Sequence, residues 1–105
     1  MLRIYSVVLE LVVALRPVLD RIERRDRDLG RQMRRALTSV PLNVSEGSYS
    51  RGQLRGARYS TAAGSMREVL SCVETEAALG YVVPLDGAIA DKIDHVLAVL
   101  VRNMR

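Results

Sequence analysis

Apolar residues recur every three or four positions along most of this chain, and this spacing limits the folds that the chain can adopt. The first series comprises Ile4, Val8, Leu11, Leu15, Val18 or Leu19, and Ile22. Because an α-helix makes one turn in about 3.6 residues, side chains at these steps share one face. The series therefore predicts a first helix over about residues 2–25. Pro17 should bend this helix because it removes a backbone donor.

The middle of the chain contains two more series of this kind. A second helix is predicted by Leu29, Met33, Leu37, Val40, Val44 and Gly47, with Pro41 in its middle. Gly47 is expected to end this helix, since glycine enters the left-handed conformation without steric cost. A third helix is predicted from Gly52 to about Leu79. Its buried face should carry Leu54, Thr61, Ser65, Val69, Cys72, Glu76 and Leu79.

The last helix is predicted after a stop at Gly80, with Pro84 in its first turn. Its apolar series is Leu85, Ile89, Ile93, Val96 or Leu97, Leu100 and Met104. The absence of Trp and Phe also favours helices over sheets. With 105 residues and 49% hydrophobic content, the chain can bury one core. We therefore predict an all-α, antiparallel up-down-up-down four-helix bundle, with residues 1–105 as a single domain.

Helices one and four carry more apolar residues than one buried face requires. A bundle helix needs an apolar face of roughly 100°. Further apolar residues lie off the main series at Val7, Leu9, Val12, Val13, Val99 and Val101. Burial of this surplus between subunits would keep it from water, so we expect a homo-oligomer.

Basic residues are concentrated in the middle of the chain. The formal net charge is +4, but residues 31–67 contain seven arginines and one acidic residue, whereas residues 68–105 contain three basic and six acidic residues. Such a basic segment can attract phosphate backbones through Coulomb attraction and counterion release. It can equally form a solvated face that pairs with acidic residues elsewhere in the fold. Composition leaves both interpretations open.

The sequence lacks the patterns that are typical of catalysis or of a bound cofactor. The single histidine, His95, has no Glu three residues before it, so the di-iron pattern of some bundles is missing. Cys72 is the only cysteine and fits a small core residue. We therefore expect no enzyme activity, catalytic residue, metal or cofactor. The apolar runs are too short to span a bilayer and the start lacks a secretory signal, so we expect a cytoplasmic protein without membrane contact.

Glu46 lies in the predicted last turn of helix two, where the helix dipole disfavours an anion. An arginine partner would offset this effect, and the nearest candidates on the returning helix are Arg51, Arg55 and Arg58. We expect a structural ion pair rather than a catalytic role for Glu46.

Several motifs occur in the order and spacing of a known bacterial family. They are a basic pair followed by Ser-x-Pro-x-Asn-x-x-Glu-Gly, then Gly-Ser-x-x-Glu, then Leu-Gly-Tyr, represented here by Arg34, Arg35, Ser39, Pro41, Asn43, Glu46, Gly47, Gly64, Ser65, Glu68, Leu79, Gly80 and Tyr81. In this half of the chain the sequence resembles the four-helix-bundle proteins encoded in intervening sequences of bacterial 23S rRNA genes. Those proteins are related to the accessory variability determinant proteins of diversity-generating retroelements. The resemblance implies a homopentameric ring, and an association with RNA or DNA and with a reverse transcriptase.

The residues predicted to contact nucleic acid are arginines. Side chains three or four residues apart on a helix form a ridge, and two ridges are formed by Arg31, Arg34, Arg35, Arg51, Arg55 and Arg58. Together they would hold phosphate backbone without reading bases. The alternative is a structural homo-oligomer or an adaptor for a protein partner, in which the arginines form salt bridges between subunits.

Overall fold

The computed structural model describes residues 3–104, which form four α-helices and no strand. The helices are α1 (Ile4–Arg25), α2 (Arg27–Ser48), α3 (Gly52–Ala78) and α4 (Gly87–Arg102). The most extensive contact is between α2 and α3; α1 packs against α2 and α4, and α3 packs against α4. Each helix therefore has two main neighbours, as in a four-helix bundle, and the predicted all-α fold class is confirmed.

One continuous core receives side chains from all four helices. The predicted series of α1, α2 and α4 supply most of it, because their buried members are Ile4, Val8, Leu11, Leu15, Leu19, Ile22, Met33, Leu37, Val40, Val44, Ile93, Val96 and Leu100. Burial of this apolar surface is the main force that holds the helices together. In the described part of the chain, no helix is both long enough and apolar enough to cross a membrane.

The predicted buried face of α3 is wrong in its first half and at its end. Leu54 and Leu79 are each 56% exposed, and Thr61 also faces water. The residues of α3 that are buried are Tyr59, Ala62, Ala63, Met66, Val69, Cys72, Val73 and Glu76. α3 itself carries small residues on several sides, so its sequence pattern does not decide which side is buried. The observed rotation of α3 about its axis is favoured because it buries the larger apolar area of Tyr59 and Met66.

The two glycines expected to end helices behave differently. Gly80 has a φ of +81°, and it follows α3 as predicted. The Gly80 N–H donates to the Ala77 carbonyl at 3.0 Å and the Tyr81 N–H donates to the Glu76 carbonyl at 2.9 Å, which is the Schellman pattern of a helix end. Gly47 instead lies inside the last turn of α2, which continues to Ser48. The prediction that Gly47 ends the helix in a left-handed conformation is wrong.

Gly47 allows α2 and α3 to approach closely. It is buried, and a Cβ atom at this position would collide with the ring of Tyr59 and lie 3.2 Å from the Cβ of Arg58. A glycine is needed here because a neighbouring helix occupies the space of a side chain.

Aspartates cap the starts of two of the four helices, α2 and α4. Asp26 Oδ1 accepts a hydrogen bond from the Leu29 N–H at 3.0 Å at the start of α2, and Asp86 Oδ1 accepts one from the Ile89 N–H at 2.9 Å at the start of α4. These are N-caps, which satisfy backbone donors that lack a partner in the first turn. The fourth helix therefore begins after Asp86, and the prediction that Pro84 lies in its first turn is wrong.

Candidate nucleic-acid interface

An open groove of about 440 Å³ runs along one face of α2. It is lined by Arg34, Arg35, Thr38, Ser39, Leu42, Asn43, Glu46 and Arg58. The α2 residues recur at four-residue steps, so they project from one side of the helix. From Arg34 to Glu46 the groove follows twelve residue-to-residue steps, or roughly 18 Å of helix at about 1.5 Å per step.

A polar network that includes two residues lining the groove, Ser39 and Asn43, joins α2 to α3. Asn43 Nδ2 donates to the Ser39 carbonyl at 2.9 Å and to Ser39 Oγ at 3.0 Å. Ser65 Oγ of α3 donates to the same Ser39 Oγ at 2.9 Å. Three residues of the sequence motifs thus hold each other in place, which makes their role in this fold structural.

Glu46 and Arg58 form an ion pair at one end of the groove. Arg58 Nη1 lies 3.0 Å from Glu46 Oε2, which confirms the predicted pairing and selects Arg58 among the three candidates. The Arg58 side chain is 43% exposed and the Glu46 side chain is 57% exposed. Because water screens such exposed pairs, this one contributes at most about 1 kcal/mol to stability.

Arg34 is held at the other end of the groove by Glu23 of α1. Its Nε lies 3.1 Å from Glu23 Oε2 and its Nη2 lies 2.5 Å from Glu23 Oε1, so the guanidinium meets the carboxylate through two parallel hydrogen bonds. The hydrogen bond with Arg34 lowers the pKa of Glu23, and the same contact raises the pKa of Arg34.

The structure brings three of the six predicted arginines to the groove, namely Arg34, Arg35 and Arg58. Arg35 is exposed and forms no ion pair within residues 3–104. The other three arginines do not line the groove. Arg55 Nε donates to the Ser50 carbonyl at 3.0 Å, where it supports the connection between α2 and α3, while Arg31 and Arg51 are exposed.

The remaining motif residues lie outside the groove. Gly64 and Glu68 face water on α3, and no atom lies within 4 Å of the position of a Cβ on Gly64. Pro41 is half-buried within α2, which continues through it. Tyr81 follows the Gly80 turn, and the guanidinium carbon of Arg25 lies 5.9 Å from the centre of its ring, within the range of a cation–π contact.

Sequence reasoning missed two acidic residues. Only one residue, Asp26, connects α1 to α2. A turn this short brings Glu23 of α1 next to Arg34 of α2, so a correct boundary between the two helices would have indicated this pair. The apolar spacing predicts Glu76 on the core face of α3, but it does not indicate that a carboxylate is buried there. Glu76 has no exposed surface, and neither carboxylate oxygen has a hydrogen-bond partner in the described structure. Burial raises the pKa of Glu76, and the nearby Asp26 raises it further.

The candidate metal ligands and the one cysteine of the described residues have the following arrangement. The described residues contain no group of three or more His, Cys, Asp or Glu side chains that could hold a metal ion. Cys72 is a buried thiol, and burial raises its pKa, which disfavours the reactive thiolate.

The sequence pattern of one protein family, the 23S rRNA-intervening sequence protein, matches residues 1–102. The chain belongs to this family. The match extends over nearly the whole chain, well beyond the motifs on which the resemblance rested, so the 23S rRNA-intervening sequence assignment is confirmed. No curated protein and no solved structure matches the chain.

Proposed function

We propose that this 23S rRNA-intervening sequence protein is a non-catalytic, oligomeric protein that holds nucleic-acid phosphate backbones in the groove of α2. The observation that supports this most is the convergence of Arg34, Arg35 and Arg58 on one groove. The description of the family refers to an intervening sequence of 23S rRNA, where such proteins are encoded, so both RNA and DNA are proposed as ligands to be tested.

The contacts proposed are electrostatic. Arginines that neutralise phosphates release condensed counterions, so the affinity should fall steeply as salt rises. Sequence preference should be low, because phosphate contacts carry no base information and the groove contains no aromatic side chain on which a base could stack.

The assembly we propose is an antiparallel bundle in a homopentameric ring. Two contacts between α2 and α3 support the antiparallel order: Ser39 bonds to Ser65, and Gly47 lies against Tyr59, so residue numbers run in opposite senses along the two helices. Exposed apolar residues support association, since Leu9, Val13 and Val101 are 42%, 58% and 45% exposed. Five subunits and a reverse transcriptase partner follow from the resemblance alone, whereas a cytoplasmic location is proposed from the short apolar runs and the single cysteine of the sequence.

A second candidate function is a structural oligomer or protein adaptor that does not bind nucleic acid. The ion pairs of Arg34 and Arg58 favour this alternative, because they show that arginines of the groove can serve the fold itself.

Fluorescence anisotropy with a labelled 20-nucleotide RNA and the matching DNA, across a range of salt, tests the proposal. The variant Arg35→Glu should weaken binding by at least roughly fivefold near 0.1 M salt and flatten the salt dependence, because one phosphate contact is lost. Arg35 suits this test because its replacement breaks no described ion pair. The matched control is Arg16→Glu, which makes the same charge change at an exposed position of α1 outside the groove. Absence of binding at low salt, or equal effects of the two variants, would support the adaptor.

A further inference from the structure

The two ion pairs of the groove have a common arrangement. In each, a carboxylate pairs with an arginine that lies at one end of the groove. We propose that Glu23 and Glu46 act as internal substitutes for phosphate, and that they set both the affinity of the groove and its preference for long polyanions. This inference rests on the proposed function, because it names two residues that regulate binding at the same groove.

The geometry of the Glu23 pair supports this role. Arg34 meets Glu23 through two parallel hydrogen bonds of 3.1 and 2.5 Å, and a phosphate group presents a similar pair of oxygens to a guanidinium. Glu46 Oε2 lies 3.0 Å from Arg58 at the opposite end. Both pairs are partly exposed, so an incoming phosphate can reach each arginine and replace the carboxylate without unfolding the bundle.

The preference of the groove for long polyanions depends on the distance between the two ion pairs. They are separated by roughly 18 Å along α2. A free phosphate ion or a mononucleotide can displace one carboxylate only, and it then loses about as much as it gains. A continuous backbone can displace both carboxylates with one molecule and can also contact Arg35, which has no carboxylate partner among the described residues. Each carboxylate lowers the affinity of its arginine for any anion, so a single phosphate gains little, whereas a backbone that contacts all three arginines at once keeps a net affinity.

The variants Glu23→Gln and Glu46→Gln test this inference, because glutamine keeps the size of the side chain and removes its charge. Binding of the labelled 20-nucleotide RNA is measured by anisotropy, and thermal unfolding followed by circular dichroism verifies that each variant is folded. The matched control is Glu10→Gln, which removes the same charge from an ion pair of α1 and α4, Glu10 Oε2 with Lys92 Nζ at 3.6 Å, outside the groove.

Each groove variant should bind RNA about two- to fivefold more tightly than the wild type, the range expected when an exposed ion pair no longer has to be broken. The double variant should gain roughly the product of the two effects. Inhibition of RNA binding by inorganic phosphate should become stronger in both single variants. The salt dependence should stay the same, since Arg34 and Arg58 contact phosphate in the wild type as well.

Three results would overturn the inference. If the wild type binds RNA and the groove variants gain no more than Glu10→Gln, the carboxylates do not compete, although the proposed function stands. If the salt dependence becomes steeper by about 0.7 to 0.9 per variant, the carboxylates block the arginines permanently instead of exchanging with phosphate. If neither the wild type nor any variant binds, both the inference and the proposed function fail.

Discussion

Replacement of Glu76 tests the reasoning about the core most directly. Glu76 is the one buried charged residue of the described chain, and its two carboxylate oxygens have no hydrogen-bond partner there. A buried polar group left without a partner costs about 1–3 kcal/mol. The variant Glu76→Met keeps a similar volume and removes that penalty, so it should raise the free energy of unfolding by about 1–3 kcal/mol. For a domain of this size, each kcal/mol corresponds to about 4–8 °C in Tm.

The pH dependence of this effect has a definite sign. Burial and the nearby Asp26 raise the pKa of Glu76 in the folded protein above its value in the unfolded chain. The folded state therefore holds this proton more tightly, and stability is lost as pH rises from about 4.3, the ordinary pKa of glutamate, through the raised folded value. The advantage of Glu76→Met over the wild type should be small at pH 4 and larger at pH 8.

Guanidinium unfolding followed by circular dichroism at both pH values measures the two effects. Glu74→Gln, an exposed position on the same helix, serves as the control and should change stability little at either pH. A Glu76→Met variant less stable than the wild type at pH 8 would contradict the expected gain. An equal difference between the two proteins at pH 4 and pH 8 would contradict the expected pH dependence.

Two further predictions concern packing and assembly. Gly47→Ala should lower the free energy of unfolding by about 1–3 kcal/mol, because the added methyl group would overpack the contact with Tyr59. Gly64→Ala should instead raise the free energy of unfolding by about 0.5–1 kcal/mol, because Gly64 lies in open space on α3 and alanine favours the helix. Chemical denaturation of both variants measures the two effects. Light scattering of the wild type should report an oligomer, and Val13→Glu, at a position 58% exposed in the single chain, should yield a folded monomer; a wild type that is monomeric at micromolar concentration would contradict the expected assembly.

Much of the fold could be predicted from local spacing. The buried faces of α1, α2 and α4 follow from apolar residues three and four positions apart, since neighbours at these steps share a helix face whatever the rest of the chain does. The turn at Gly80 could be predicted for the same reason, because a left-handed helix end depends on a few consecutive residues. In the candidate site, the pairing of Glu46 was predictable because Glu46 is the only acidic residue among residues 31–67, next to several arginines.

Only the tertiary structure decided the features that depend on how closely two helices approach. The buried face of α3 is set by which side lets Tyr59 and Met66 enter the core, and small residues on several sides of this helix leave that choice to its neighbours. Gly47 looked like a helix end, but its role comes from the ring of Tyr59 in the space where a Cβ would be. The sequence placed six arginines on two helices, whereas packing brought three of them to one groove and gave two of those carboxylate partners. Contacts between residues distant in the chain depend on the rotation and separation of whole helices, and spacing within one helix carries no information about either.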